Sequence, residues 1–215
     1  TTSSVAGQNA ALVTTTSSYA GAGTYSFYIT GDVLDLTYIN IASQTFVSGN
    51  VSGWSALTHL TYINCRITSV SGDVSGWSAL TNLEYLYFRY SSVSGDVSSW
   101  SALTNLINLS CRFTSISGDI SSWSALTNLT FLSCYNTLVD FDGTTAWSMT
   151  GTIDLYSNGW TSAQVDNALA AFAGTPVTGC TINVAGTNAA RTAASDANKA
   201  IIIDVGNSNT LNVNE

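Results

Sequence analysis

Three of the chain's five basic residues, Arg66, Arg89 and Arg112, recur 23 positions apart. If the chain makes one turn of a coil per interval, the three guanidiniums stand in one column. Neighbouring charges about 5 Å apart repel by about 1 kcal/mol in water. Adjacent aromatics such as Tyr90 and Phe113 relieve part of that by stacking on the cations. A column of this kind suits a protein edge, an acidic group or a glycan. A second recurring set, Asp73, Asp96 and Asp119 with Asn50 ahead of them, has two readings. Stacked carboxylates offer oxygens to calcium, which takes about six to eight. The reading favoured here is that each side chain accepts backbone N–H bonds in its own turn.

Other chemistry is sparse. His59 is the single histidine and stands where later copies carry Asn82, Asn105 and Asn128. There is no G-x-S-x-G, no phosphate-cradling glycine loop and no Cys/His pair at ligand spacing. Asp140 and Asp142 share one loop, which is weak support for acid–base work. The reading is therefore of a non-enzyme without a cofactor or a metal. Cys65, Cys111 and Cys134 fall at one repeat position, with Phe88 in the second copy. A position that alternates cysteine with phenylalanine reads as a small buried apolar site rather than a disulfide or metal site. Cys111 and Cys134 come from neighbouring copies and could approach each other.

The elements that must hold these residues are visible as a repeat. SGNVSGWSALTHLTYINCRITSV is followed by SGDVSGWSALTNLEYLYFRYSSV, SGDVSSWSALTNLINLSCRFTSI and SGDISSWSALTNLTFLSCYNTLV. A fixed period of this length marks a stacked-repeat architecture. Within one copy, Leu80, Leu83, Leu86 and Phe88 describe a turn and then a period-2 strand, and Val93, Val97 and Trp100 complete the interior. One copy cannot close a core; stacking turns the apolar positions into continuous columns. Tryptophans 54, 77, 100 and 123 make one such column, expected in the core on the side opposite the strands.

With those columns inward, the outward ones follow. One is Tyr62, Tyr85, Asn108 and Phe131. The next is Asn64, Tyr87, Ser110 and Ser133. The third is Arg66, Arg89, Arg112 and Tyr135, flanked by Ile67, Tyr90, Phe113 and Asn136. Exposed Tyr and Arg are enriched at interface hot spots. The candidate ligand-binding set is Tyr62, Arg66, Tyr85, Tyr87, Arg89, Tyr90, Arg112, Phe113, Phe131 and Tyr135.

The repeat resembles the leucine-rich repeat, and its Ser-Gly-Asp-Val/Ile segment resembles the L-S-G-x-I-P half of the plant-type variant. Where that family carries asparagine after the strand, this chain has Thr68, Ser91, Thr114 and Thr137, and only Asn158 restores it; a hydroxyl bonds the turn backbone in the same way, more weakly. The tail, with VD-x-x-L and T-I-N-V-x-G-x-N-A-A, is similar to the C-terminal cap of leucine-rich-repeat proteins of bacteria and their phages. The resemblance implies an α/β repeat solenoid: a parallel sheet on one face, loops or short strands on the other, and two short helices near the C-terminus.

The expected organisation is an arm or linker over 1–24, an N-terminal cap over 25–47, four regular repeats over 48–139, and irregular repeats with a C-terminal cap over 140–215. Tyr25 to Thr30 and Leu36 to Ile41 read as strands. Helices are expected from Thr161 or Ser162 and over about Ala189 to Ile203. The net charge of −8 argues against a phosphate-backbone binder, and no apolar run approaches the roughly 18 residues of a membrane span. Charged residues make up only 8% of the chain, with Ser and Thr carrying the surface. Such a composition fits a virion surface or an extracellular or cell surface. The expectation is a non-catalytic adhesion module for a protein or glycan on a host or neighbouring surface. The alternative is a structural subunit that assembles with its own copies through the arm and the solenoid faces.

Overall fold

The computed structural model of the chain describes residues 35–45, 47–174, 178–204 and 208–215. The arm expected over 1–24 and the strand expected from Tyr25 to Thr30 lie outside the described residues. In chain order the first strands are β1 (Tyr38–Asn40), β2 (Ser48–Asn50), β3 (Tyr62–Asn64), β4 (Ser69–Asp73), β5 (Tyr85–Tyr87) and β6 (Ser92–Asp96). They continue as β7 (Asn108–Ser110), β8 (Ser115–Asp119), β9 (Phe131–Ser133), β10 (Leu138–Asp140), β11 (Thr152–Asp154), β12 (Thr181–Asn183) and β13 (Thr210–Asn212). The helices are α1 (Ser162–Ala173) and α2 (Asp196–Ile202).

Two parallel sheets enclose one core. The longer runs β1-β3-β5-β7-β9-β11-β12-β13, and the shorter runs β10-β8-β6-β4-β2. Between them each regular copy makes a tight 3-10 turn, such as Ser98–Ala102. The turn closes when the Leu103 N–H donates to the Trp100 carbonyl at 2.9 Å, which drives Leu103 and Trp100 inward together. Leu103, Leu106, Leu109, Cys111, Ile116, Ile120 and Trp123 are all fully buried, as are their counterparts one copy earlier. This is the leucine-rich-repeat solenoid that the resemblance implied.

The tryptophan column is core. Trp77 and Trp100 stack with ring centres 6.4 Å apart, and Trp100 and Trp123 at 6.2 Å. Each indole N–H reaches back to the previous copy: Trp100 Nε1 donates to the Val74 carbonyl at 3.2 Å and Trp123 Nε1 to Val97 at 3.1 Å. Buried indoles need such partners. Trp54 is only partly buried.

The two sheets differ in register. In the longer sheet equivalent residues face each other, Tyr62 opposite Tyr85 and Asn108 opposite Phe131. In the shorter one Ser71 pairs with Ser92 and Ser94 with Ser115, so equivalent residues slide by two positions per copy. With strands about 4.8 Å apart and about 3.3 Å per residue along them, the same 23-residue step spans about 4.8 Å on one side and about 8 Å on the other. Columns on the longer sheet are straight and dense; those on the shorter sheet are slanted and spread.

Hydroxyls do stand in for asparagine. Thr68 Oγ1 donates to the Cys65 carbonyl at 2.6 Å, Ser91 Oγ to Phe88 at 2.6 Å and Thr137 Oγ1 to Cys134 at 2.9 Å. Asn158 Nδ2 then takes the same role on Leu155 at 3.0 Å, while its Oδ1 accepts from the Thr137 N–H. Asn188, almost fully buried, repeats the device by donating to the Val184 carbonyl at 2.8 Å.

Two expectations about element length need correcting. The strand expected over Leu36 to Ile41 is confined to Tyr38–Asn40. The helix expected from Ala189 starts later, as a 3-10 turn at Ala193–Ser195 that continues into α2. The Ala189 N–H is taken by the Trp160 carbonyl at 2.7 Å, and Thr192 accepts from the Ala194 N–H as a cap, so the backbone before 193 is used for tertiary bonds. Thr161 caps α1 in a reciprocal box with Gln164, and Val165, Leu169 and Phe172 bury its inner face.

Candidate ligand-binding face

The outer surface of the longer sheet carries the candidate residues in three straight columns. Tyr38, Tyr62 and Tyr85 stand side by side on β1, β3 and β5, with the first two rings stacked at 4.3 Å. Tyr62 and Tyr87 meet edge to face at 5.9 Å. Burial among these rings raises both the Tyr62 and the Tyr87 phenol above the usual tyrosine range. Phe131 is half-buried in the same column as Tyr62 and Tyr85. Tyr38 was not among the candidates, although its place one copy before Tyr62 could have signalled it.

The middle column departs from expectation. Tyr87 is half-exposed, but Asn64, Ser110 and Ser133 are buried, not exposed. These short side chains point outward and are overtopped by the longer residues on either side. Asn64 Nδ2 donates to the Tyr62 hydroxyl at 3.2 Å, which ties the floor of the face to its first column.

The arginine column stands as the spacing implied. The Ile67 N–H donates to the Arg89 carbonyl at 2.9 Å and the Tyr90 N–H to the Arg112 carbonyl at 3.1 Å, so Arg66, Arg89 and Arg112 occupy consecutive rungs. Arg66 is exposed, and Arg89 and Arg112 are half-buried. Burial first, then the charges of Arg112 and Arg66, hold Arg89 below the usual arginine range. Among the described residues no carboxylate lies within ion-pair distance of these three cations. By contrast, Arg191 pairs with Asp196 and Glu215, and Lys199 pairs with Glu215. Arg112 keeps a buried Nε–H with no hydrogen-bond partner.

Beside the arginines runs an aromatic rail. Tyr90 stacks on Phe113 at 4.5 Å, Phe113 meets Tyr135 at 4.8 Å, and Tyr135 meets Tyr156 at 5.1 Å. The Arg89 guanidinium lies 5.9 Å from the centre of the Tyr90 ring. Ile67, Tyr90, Phe113 and Asn136 all adopt a left-handed backbone, with φ between 53° and 58°. For bulky residues this is a genuine outlier, and nothing in the residue types announced it. At the C-terminal end of the rail is an open depression of about 240 Å³ lined by Arg112, Tyr135, Asp154, Tyr156 and Asn183. Asp154, Tyr156 and Asn183 come from the irregular repeats, where a broken period hid their alignment with the face.

The aspartate set is built into turns. Asp73 Oδ1 accepts from the Ser75 N–H and Asp96 Oδ1 from the Ser98 N–H, each at 2.8 Å; Asn50 does the same for Ser52. These bonds hold the Asp73 and Asp96 carboxyls below the usual carboxylate range. Among the described residues no three His, Cys, Asp or Glu side chains gather as a metal site. His59 is exposed in a turn. The four cysteines are buried as free thiols, with Cys111 and Cys134 Sγ atoms 2.9 Å apart.

Fold and face together define a leucine-rich-repeat solenoid whose longer sheet carries the candidate face on its open outer side. No protein-family profile matches the sequence, and no curated relative matches it. Among solved structures, the PEPR1–AtPEP1 complex is similar with a TM-score of 0.57 at 20% identity over 70% of this chain. A TDR receptor gives 0.47 at 23% identity over 70% of the chain, and an internalin (inlF) from Listeria monocytogenes 0.39 at 19% over 83%. This chain spans 22%, 26% and 63% of those three proteins. At 20% identity the likeness to the PEPR1–AtPEP1 complex speaks for the fold alone. No helix among the described residues is long and apolar enough to cross a membrane.

Proposed function

We propose that this chain is a non-catalytic binding module that takes a protein or glycan on the outer face of its longer sheet, on a phage particle or a microbial cell surface. The observation that carries the reading is the contrast among the five basic residues. Arg191 and Lys199 are ion-paired in the C-terminal cap, whereas Arg66, Arg89 and Arg112 stand on consecutive rungs and, among the described residues, none of the three has a carboxylate within ion-pair distance. A protein with 13 acidic residues and 5 basic ones has carboxylates to spare. Three cations on adjacent rungs repel one another in the free protein, and an acidic partner removes that cost. Tyrosines 62, 85, 87 and 90 supply large contact area with little conformational entropy to lose. The low charge and the Thr- and Ser-rich surface support placement outside a cell.

The test is a comparison of the wild type with the double variant Tyr87→Ala/Arg89→Ala on arrays of glycans and of acidic peptides. Ligands retained by the wild type and lost by the double variant support the face. Identical profiles for the two proteins remove it.

A further inference from the structure

Resting on that docking face, we infer that its partner is a linear anionic polysaccharide, a uronate-type chain with a carboxylate on each ring, laid along the stack across Arg66, Arg89 and Arg112. Spacing is the first argument. The three arginines sit on consecutive rungs of one parallel sheet, about 4.8 Å apart. An extended peptide presents same-side groups about 6.6 Å apart, and falls out of step with the rungs by the third. A linked pyranose ring advances by roughly one rung, so the same-side carboxylates of a two-fold ribbon, two rings apart, stay in step with Arg66 and Arg112. Each guanidinium ends a flexible arm and can follow carboxylates that alternate across the ribbon.

The surroundings also suit sugar better than peptide. Beneath and beside the arginines lie amides and hydroxyls: Asn64, Ser110 and Ser133 on the floor, and the phenols of Tyr62 and Tyr87. Asn64, Ser110 and Ser133 are covered, so it is the half-buried Tyr62 and Tyr87 phenols that can exchange hydrogen bonds with ring hydroxyls. The rail of Tyr90, Phe113 and Tyr135 gives an apolar edge for C–H groups. At the end of the row Arg112 borders the open depression of about 240 Å³, whose other lining residues are Tyr135, Asp154, Tyr156 and Asn183. Asp154, in the same depression, is engaged by Ser133 and Asn183 and marks where the anionic chain must end.

The experiment is calorimetric titration with a 1→4-linked uronate hexasaccharide, its carboxyl-reduced counterpart, and an acidic peptide of equal charge. The wild type should bind the uronate, lose it at high salt and ignore the reduced sugar. Arg89→Ala should weaken binding by about ten- to a hundredfold. Arg89→Lys should recover part of the affinity, and Asp96→Asn on the opposite sheet should leave it unchanged. Thermal melts of each variant establish that it is folded. Equal uronate binding by the wild type and Arg89→Ala overturns the inference. So does Arg89-dependent binding of the peptide without the uronate, which keeps the docking face and replaces its partner. Absence of any Arg89-dependent binding among these three probes overturns the polysaccharide as partner, while the docking face itself stands or falls with the array comparison.

Discussion

Tyr90 and Phe113 stack with their rings 4.5 Å apart and only 11° from parallel, and both do so from left-handed backbone, at φ 55° and 58°. A left-handed conformation costs a residue with a Cβ roughly 1–2 kcal/mol. Ring stacking returns about 0.5–1.5 kcal/mol, so the contact offsets part of the roughly 2–4 kcal/mol that the two backbones together cost. Ile67 occupies the same position one copy earlier, at φ 55°, and has no ring to stack. It is β-branched, the side-chain type least suited to this backbone.

Replacing Ile67 by Asn, the residue that already fills this position as Asn136, should therefore stabilise the protein by about 1 kcal/mol. The midpoint of urea unfolding should rise. An unchanged or lower midpoint would show that Ile67's packing outweighs its backbone strain.

The glycine of each Ser-Gly-Asp segment is required by a close approach. Gly95 has φ 127°, and a Cβ there would meet Asp73 Oδ1 at 2.2 Å and the Ser75 backbone nitrogen at 3.0 Å. Gly95→Ala should cost about 2–4 kcal/mol, because it strains the backbone and displaces the Asp73 turn bond. Gly53→Ala has open space around it, and should stay within about 0.5 kcal/mol of the wild type. Denaturation curves for the pair test the assignment; equal effects would defeat it.

Acid should weaken the Ser-Gly-Asp turns. Hydrogen bonds from Ser75 and Ser98 lower the Asp73 and Asp96 carboxyls in the folded state. A group with a lowered folded pKa contributes stability above its unfolded value, about 3.9, and loses it as pH falls through the folded one. Asn50 shows that an amide oxygen makes the same bond. The Asp73→Asn/Asp96→Asn variant should stay folded and lose less melting temperature between pH 6 and pH 3 than the wild type. An identical drop would assign the acid sensitivity elsewhere.

The cysteines should be silent in the native state. All four are buried, and burial raises the thiols of Cys65, Cys134 and Cys180 above their usual range, which suppresses the thiolate that reacts. Ellman's reagent should titrate none of them in the folded protein and all four in guanidinium chloride. Rapid native labelling would mean that the stack opens locally.

The sequence by itself determined the stack, the inward columns and the arginine column. A period of 23 residues with leucine, cysteine or phenylalanine, and tryptophan at constant places leaves one phase in which the apolar groups meet, and that phase puts Arg66, Arg89 and Arg112 on the opposite side of the strand. Hydroxyl replacement of the asparagine position was equally legible, because one bond to one carbonyl is a local requirement. Tertiary structure alone decided the rest. The burial of Asn64, Ser110 and Ser133 depends on the height of neighbours in other copies. The two-residue slide of the second sheet, which spreads the aspartates while the arginines stay dense, comes from strand pairing rather than from any residue. The placement of Tyr156, Asp154 and Asn183 beside Arg112 comes from irregular repeats whose spacing has no period to read. Local patterns report which way a side chain faces; how far apart and how deep it lies is set by what packs next to it.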